Sequence, residues 1–348
     1  MSMVGKEFNG NIGRLFATPL NEKNIPAGSW YSLPIVEDHN PLVPLGPYSC
    51  SFDGSHELFT MGVYYGEYSN SPYFGKKLNG ALLGMYMRQE AAEQLVSIQR
   101  QLPEGYAFVL FDAYRDYDVQ KSLHEEHIKL LKELHPEWDE AQLLAATEPF
   151  IAYPSIDFSK PAPHNTGGTV DLALFHMDLE TARRRQQLLN TLGTMAPTAD
   201  ERAKTEQELA TLLLTQGQQL DFGTPFDDAT TRAKTTYFEE LAIQGKLSSS
   251  EQECLKNRRF FTHTMEAHNF QVLESEWWHY NHIKTQSGAF YSGQTHAQWG
   301  PAVFDEKCTA HEALRQERYQ QLSGTKRETE HLASNSLGRY PVYELNPT

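Results

Sequence analysis

The chain has 348 residues, of which 39% are apolar and 11% aromatic, and 45 acidic residues outweigh 30 basic ones for a net charge of -15. That length and composition suit a folded protein of one large or two smaller domains and argue against global disorder. The acidic balance weighs against a nucleic-acid partner, which needs clustered Lys and Arg, and against docking on anionic membranes.

Cys50, Cys254 and Cys308 are far apart and form no CxxC pair. They read as reduced, incidental thiols rather than a disulfide framework or a metal cluster. Met1 to Phe8 lacks the apolar run of a signal peptide, and no stretch is long and apolar enough to predict a membrane helix. Cytoplasmic residence is the default expectation.

In chain order, the first sixty residues are rich in Pro, Gly and Asn, and Leu42 to Pro47 reads as an extended, turn-punctuated segment. Leu82, Leu83, Met85, Met87, Ala91, Leu95 and Ile98 predict an amphipathic helix over 81–101. Pro103-Glu104-Gly105 breaks the chain, and Tyr106 to Phe111 reads as a buried strand with Asp112-Ala113-Tyr114-Arg115 at its end. Helices are expected from about Asp118 to Leu134 and near 139–148. Val170, Leu172 and Leu174 alternate with Asp171, Ala173 and Phe175, a strand that aims Asp171 away from the Val/Leu face.

From Glu180 to about Gln218 the pattern is polar and helical, broken near Gly193 and Pro197, as in an inserted helical hairpin. Asp221 to Asp227 carries turn chemistry, and Ser248 to about His268 is a further predicted helix. Phe270 to Leu273 and Trp277 to Tyr280 read as two strands of one hairpin. The tail beyond Gly300, with Pro341 and Pro347, is expected to be a partly helical extension.

Two segments carry chemistry. Ala162-Pro163-His164-Asn165-Thr166-Gly167-Gly168-Thr169-Val170-Asp171 offers an imidazole and a carboxylate; Glu276-Trp277-Trp278-His279 offers a second imidazole and a spare glutamate. Three protein ligands with an open position are the pattern of a catalytic zinc, and a glutamate beside them can accept the proton of an activated water. Taken alone, His164 and Asp171 read equally as a turn histidine and a strand-end carboxylate, and His263 or His282 could stand in for His279. Residues three apart on a regular strand face opposite sides, so Glu276 and His279 share a site only across a bulge or bend. Trp277 and Trp278 read as wall and core. Arg115 beside Asp112 is either a structural ion pair or a cation for an oxyanion. Asp227 is either a capping residue or a receptor for a substrate ammonium.

Read together and in order, these segments resemble the VanX-type D-alanyl-D-alanine dipeptidases, of the zinc peptidase family that also contains D,D-carboxypeptidases. The family pattern Ser-x-His-x-x-Gly-x-Ala-x-Asp is matched by Ala162 to Asp171, and Glu-Trp-Trp-His-Tyr stands intact at Glu276 to Tyr280. Phe111 to Arg115, Gly223 to Asp227 and the helix ending in Asn257-Arg258-Arg259 are also similar, so the resemblance covers roughly residues 61–285. It implies that His164, Asp171 and His279 bind one Zn²⁺ per chain and that Glu276 is general base and then proton donor. It further implies that Arg115 stabilises the transition state and that Asp227 fixes the ammonium of a small dipeptide. Ala162, Thr169 and Asp116 depart from the pattern without touching a ligand or the base.

The expected fold is α+β: a mixed, largely antiparallel sheet carrying the zinc site, helices packed on one face, and a helical insertion near 179–218. The catalytic domain is placed at 61–300, between an N-terminal extension (1–60) and a C-terminal one (301–348). The alternatives are a D,D-carboxypeptidase acting on longer stem peptides and a non-catalytic, zinc-stabilised binding protein. Oligomeric state is left open.

Overall fold

A computed structural model describes residues 12–333 apart from 24, 27, 48, 50, 67–77, 149, 150, 152, 156 and 196–199. Cys50, Pro197, Pro341, Pro347 and the segment Met1 to Phe8 lie outside the described residues. The elements run α1 (Ile12–Ala17), β1 (Leu42–Leu45), β2 (Phe59–Thr60), β3 (Met85–Arg88), α2 (Gln89–Gln101), β4 (Tyr106–Asp112), α3 (Tyr117–Leu134) and α4 (Glu140–Thr147). They continue with β5 (Thr169–His176), α5 (Leu179–Thr194), α6 (Asp200–Gln216), β6 (Gln218–Gln219), α7 (Tyr237–Ile243) and α8 (Ser249–Glu266). The last are β7 (Phe270–Leu273), β8 (Glu276–His282), α9 (Gln286–Tyr291) and α10 (Glu306–Ala333). The fold is α+β, as expected.

The main sheet has the order β2-β4-β5-β8-β7, with β6 paired to β5. Only its β2–β4 edge is parallel; the other described pairings are antiparallel. Phe108 and Leu174 are register partners, as are Leu110 with Leu172 and Val170 with Tyr280, so these six side chains share one face. Phe108 and Tyr280 rest on Phe261 of α8, which closes that face with fully buried aromatic rings. Ser248 starts α8 with a capping box: its side chain accepts from the Glu251 amide while Glu251 reaches back to the Ser248 amide.

The expected helix over 81–101 begins only at Gln89. Met85 to Arg88 instead form β3, antiparallel to Leu42 to Leu45. Leu83, Met85 and Met87 have a strand's period of two as well as a helix's spacing, and a partner forty residues upstream selects the strand. The segment 1–60 therefore supplies strand pairing to the body of the fold through β1 and β2.

The inserted hairpin is present as α5 and α6. Asp178 caps α5 by accepting from the Thr181 amide. On α6, Glu206 is fully buried between Arg202 at 2.7 Å and Arg318 of α10 at 3.1 Å. Burial pushes the Glu206 carboxyl up to about 7 against the pull of those arginines. Nearer the start of α10, Glu312 accepts from the amides of Leu83 and Gly84 and from the Tyr86 hydroxyl. Cys254 and Cys308 are buried free thiols, and burial raises both to about 12, which suits the reading of inert thiols.

Candidate metal centre and active-site cleft

The site lies on the sheet face away from α8. Asp171 and His279 are register partners in the β5–β8 ladder, so they share that face. A register shift at the end of β4 pairs Asp112 with Asp171, whereas Leu110 pairs with Leu172 on the opposite face. This irregularity turns a carboxylate that regular alternation would bury under α8 into the site.

The bend required between Glu276 and His279 is also present. The β7–β8 register jumps from Val272–Tyr280 to Leu273–Glu276. As a result Glu276, Trp278, His279 and Asn281 all line one cleft, with two consecutive residues pointing to the same side. Trp277 faces the other way, stacked on Phe222 at 4.1 Å, and its indole donates to Thr224 Oγ1 at 2.9 Å. Trp278 meets Phe226 edge-on at 5.5 Å. The paired tryptophans thus anchor both ends of the loop that leads to Asp227.

His164 enters on a 3-10 turn, Pro163–Thr166, opened by Pro163 and closed by Gly167 at φ 69°. At Gly168 a Cβ would come within 2.6 Å of both Thr285 and Trp299, so that position has no room for a side chain.

Three donor atoms converge. His164 Nε2 lies 3.3 Å from Asp171 Oδ2 and 3.3 Å from His279 Nδ1, and His279 Nδ1 lies 3.0 Å from Asp171 Oδ1. All three residues are buried and form a group able to hold a metal ion. Bonds of about 2.0–2.2 Å at tetrahedral angles put ligand atoms roughly 3.4 Å apart, close to the edges of this triangle. Asp171 Oδ1 is buried without a well-formed hydrogen bond, as a carboxylate oxygen reserved for another partner would be. The residues present therefore fit a divalent metal with two imidazoles and one carboxylate.

The outer nitrogens are also held. His164 Nδ1 donates to the Ala113 carbonyl at 2.7 Å, with Asp112 Oδ2 at 3.2 Å. His279 Nε2 faces Asn281 Oδ1 at 3.3 Å. Such contacts fix the tautomer and aim the opposite nitrogen's lone pair inward. The two other candidate histidines point elsewhere. His263 Nε2 bonds the Thr18 carbonyl. His282 donates to Gln94 through Nε2, accepts from the Lys284 amide through Nδ1, and stacks on Trp299.

Glu276 Oε2 stands 3.6 Å from His279 Nδ1. Enclosure in the cleft pushes its carboxyl up to about 7, against the pull of His279; Asp171 and Asp227 add to the rise. Burial also acts to raise the Asp171 carboxyl, but His164 and His279 outweigh it and hold Asp171 well below the ordinary range. Arg115 forms the ion pair weighed for it and also lines the cleft. It grips Asp112 through Nε at 2.8 Å, donates to Gln120 and Tyr64, and reaches within 3.7 Å of Asp171. Asp112 therefore bridges Arg115 and His164, a function invisible in the sequence beyond its place at a strand end. Asp116, two residues before the expected helix start at Asp118, is the N-cap of α3; its carboxylate accepts from the Asp118 amide and from the Tyr114 hydroxyl.

Asp227 lines the same cleft and adopts φ 64°, a conformation that costs a non-glycine residue and is held by the anchored loop. The cleft measures about 660 Å³ and is also walled by Trp30 and Tyr31, from the segment before residue 60.

Residues 183–298 match a protein-family model described as D-ala-D-ala dipeptidase. That span contains Asp227, Glu276 and His279, while His164, Asp171 and Arg115 lie before it. No curated protein matches the chain. The match and the His-Asp-His group together support a metal-dependent peptidase. No described helix is long and apolar enough to cross a membrane.

Proposed function

We propose that the chain is a zinc dipeptidase that hydrolyses D-alanyl-D-alanine, or a closely related small dipeptide, to free amino acids. The observation that carries this reading is the convergence of His164, Asp171 and His279 beside Glu276 in one cleft, and the dipeptidase-family match over 183–298 supports it.

His164 Nε2, Asp171 and His279 Nδ1 would hold one Zn²⁺, which when bound supplies Lewis acidity for the scissile carbonyl and acidifies water towards neutral pH. Glu276, raised to about 7, takes a proton from the attacking water and returns it to the leaving amine nitrogen. Arg115, held rigid by Asp112, Gln120 and Tyr64, offers fixed positive charge to the developing oxyanion. Asp227 receives the substrate ammonium, which favours short substrates with a free N-terminus.

Purified zinc-loaded protein assayed on D-Ala-D-Ala, L-Ala-L-Ala and N-acetyl-D-Ala-D-Ala tests the reading. Release of D-alanine from the free D,D-dipeptide alone is the expected result. Cleavage of the acetylated substrate would reassign the chain as a D,D-carboxypeptidase. No turnover of any of the three would leave a zinc-stabilised binding protein.

A further inference from the structure

Asn281 is fully buried, sits opposite Thr169 in the β5–β8 ladder and lines the cleft. Its Oδ1 accepts from Thr169 Oγ1 at 2.9 Å and faces His279 Nε2 at 3.3 Å. When His279 Nδ1 is the inward nitrogen, Nε2 carries the proton and needs an acceptor, so the amide oxygen belongs on that side. The Thr169 hydroxyl, donating to the same oxygen, holds the amide in this sense.

The amide nitrogen is then directed away from both partners. Asn281 Nδ2 is buried with no hydrogen-bond partner among the described residues. An orphaned amide donor in a protein interior is uncommon, and one in a cleft wall is relieved when a ligand oxygen reaches it.

The neighbouring wall has matching chemistry. Ser287, just past the end of β8, lines the cleft, and Gln286 Nε2 donates to the Ser159 carbonyl at 2.8 Å. That bond ties the segment bearing Lys160, another lining residue, to the end of β8. Beyond His279 along β8 the wall thus offers an amide donor, a hydroxyl and an ammonium. At the other end of β8, Glu276 feels the charge of Asp227.

We infer that Asn281 has two tasks: its oxygen positions His279 for the metal, and its Nδ2, together with Lys160, receives the terminal carboxylate of the substrate. The second task rests on the dipeptidase reading. A zwitterionic dipeptide with its ammonium at Asp227 and its carboxylate at Asn281 would lay its peptide bond across the metal ligands.

Two variants separate the tasks. Asn281→Asp keeps an oxygen for His279 and removes the donor. It is expected to retain zinc against a chelator as the parent does, while KM for D-Ala-D-Ala rises roughly tenfold or more. The rise should shrink on D-alanyl-D-alaninamide, which lacks the carboxylate. Asn281→Leu removes both groups and should lose zinc to the chelator more readily, by the 10–100-fold or so typical of lost outer-shell partners. An unchanged KM in Asn281→Asp, or an equal rise on the amide, would overturn the carboxylate role. Parental zinc retention in Asn281→Leu would overturn the positioning role. If the parent turns over neither substrate, the dipeptidase reading and the carboxylate role fall together, while the chelator comparison still decides the positioning role.

Discussion

Asp171 and His279 stand directly opposite each other on adjacent antiparallel strands, with Oδ1 and Nδ1 3.0 Å apart. This pairing places two candidate ligands of one metal on adjacent strands, where the ladder's backbone hydrogen bonds fix their separation before any ion arrives.

His279→Ala and Asp171→Asn should each abolish stoichiometric zinc binding, measured by elemental analysis after dialysis. His282→Ala should bind zinc as the parent does, because both of its ring nitrogens are engaged elsewhere. Zinc loss in His282→Ala with retention in His279→Ala would reverse the assignment.

Glu276→Gln should keep its zinc and lose turnover by about 10²–10⁴-fold, the range for a missing general base. The amide preserves size and cannot take the proton. Turnover near the parental level in that variant would remove Glu276 from the mechanism.

Asp227→Asn should raise KM for a free dipeptide by roughly tenfold or more, since an ion pair in a cleft is replaced by a neutral contact. Zinc content should not change. The discriminating comparison is the N-acetylated dipeptide, on which parent and variant should differ little; an equal penalty on both substrates would mean that Asp227 only shapes its loop.

Burial lowers His282 from 6.5 to about 3, so the folded state holds it neutral while the unfolded chain protonates it below about 6.5. Its contribution is therefore complete above pH 6.5 and is lost as the pH falls towards 3, amounting to about 2 kcal/mol by pH 5. Denaturant unfolding of zinc-free protein at pH 7 and pH 5 should show a smaller acid loss in His282→Gln than in the parent. Equal losses would place the acid sensitivity elsewhere.

Much of the candidate site was legible because its metal-binding candidates sit in two short segments with distinctive company. His164 stands between a proline and two glycines, and Glu276 and His279 frame a tryptophan pair. The bend demanded by their spacing is the register jump that brings Trp278 and His279 to the same side. Other features depended on partners remote in sequence. Met85 and Met87 fit a helix until Leu42 to Leu45 arrives to pair with them. Asp112 looked like half of a local ion pair, and its contact with His164 requires the register shift in β4. Asn281 carries no local signal, because its contacts come from Thr169 across the ladder and from His279 two residues earlier. Trp30 and Tyr31 are likewise joined to the cleft by tertiary packing alone.

Glu206 has a consequence for how this chain can be shortened or rearranged. Its carboxylate belongs to the inserted hairpin, yet one of its two close counter-ions, Arg318, belongs to the tail helix. Trimming the tail would remove one of the two arginines that compensate this buried carboxylate, and excising the hairpin would remove the carboxylate that Arg318 meets at 3.1 Å. The hairpin and the tail thus share one buried charge network, and shortening either should cost stability in the other.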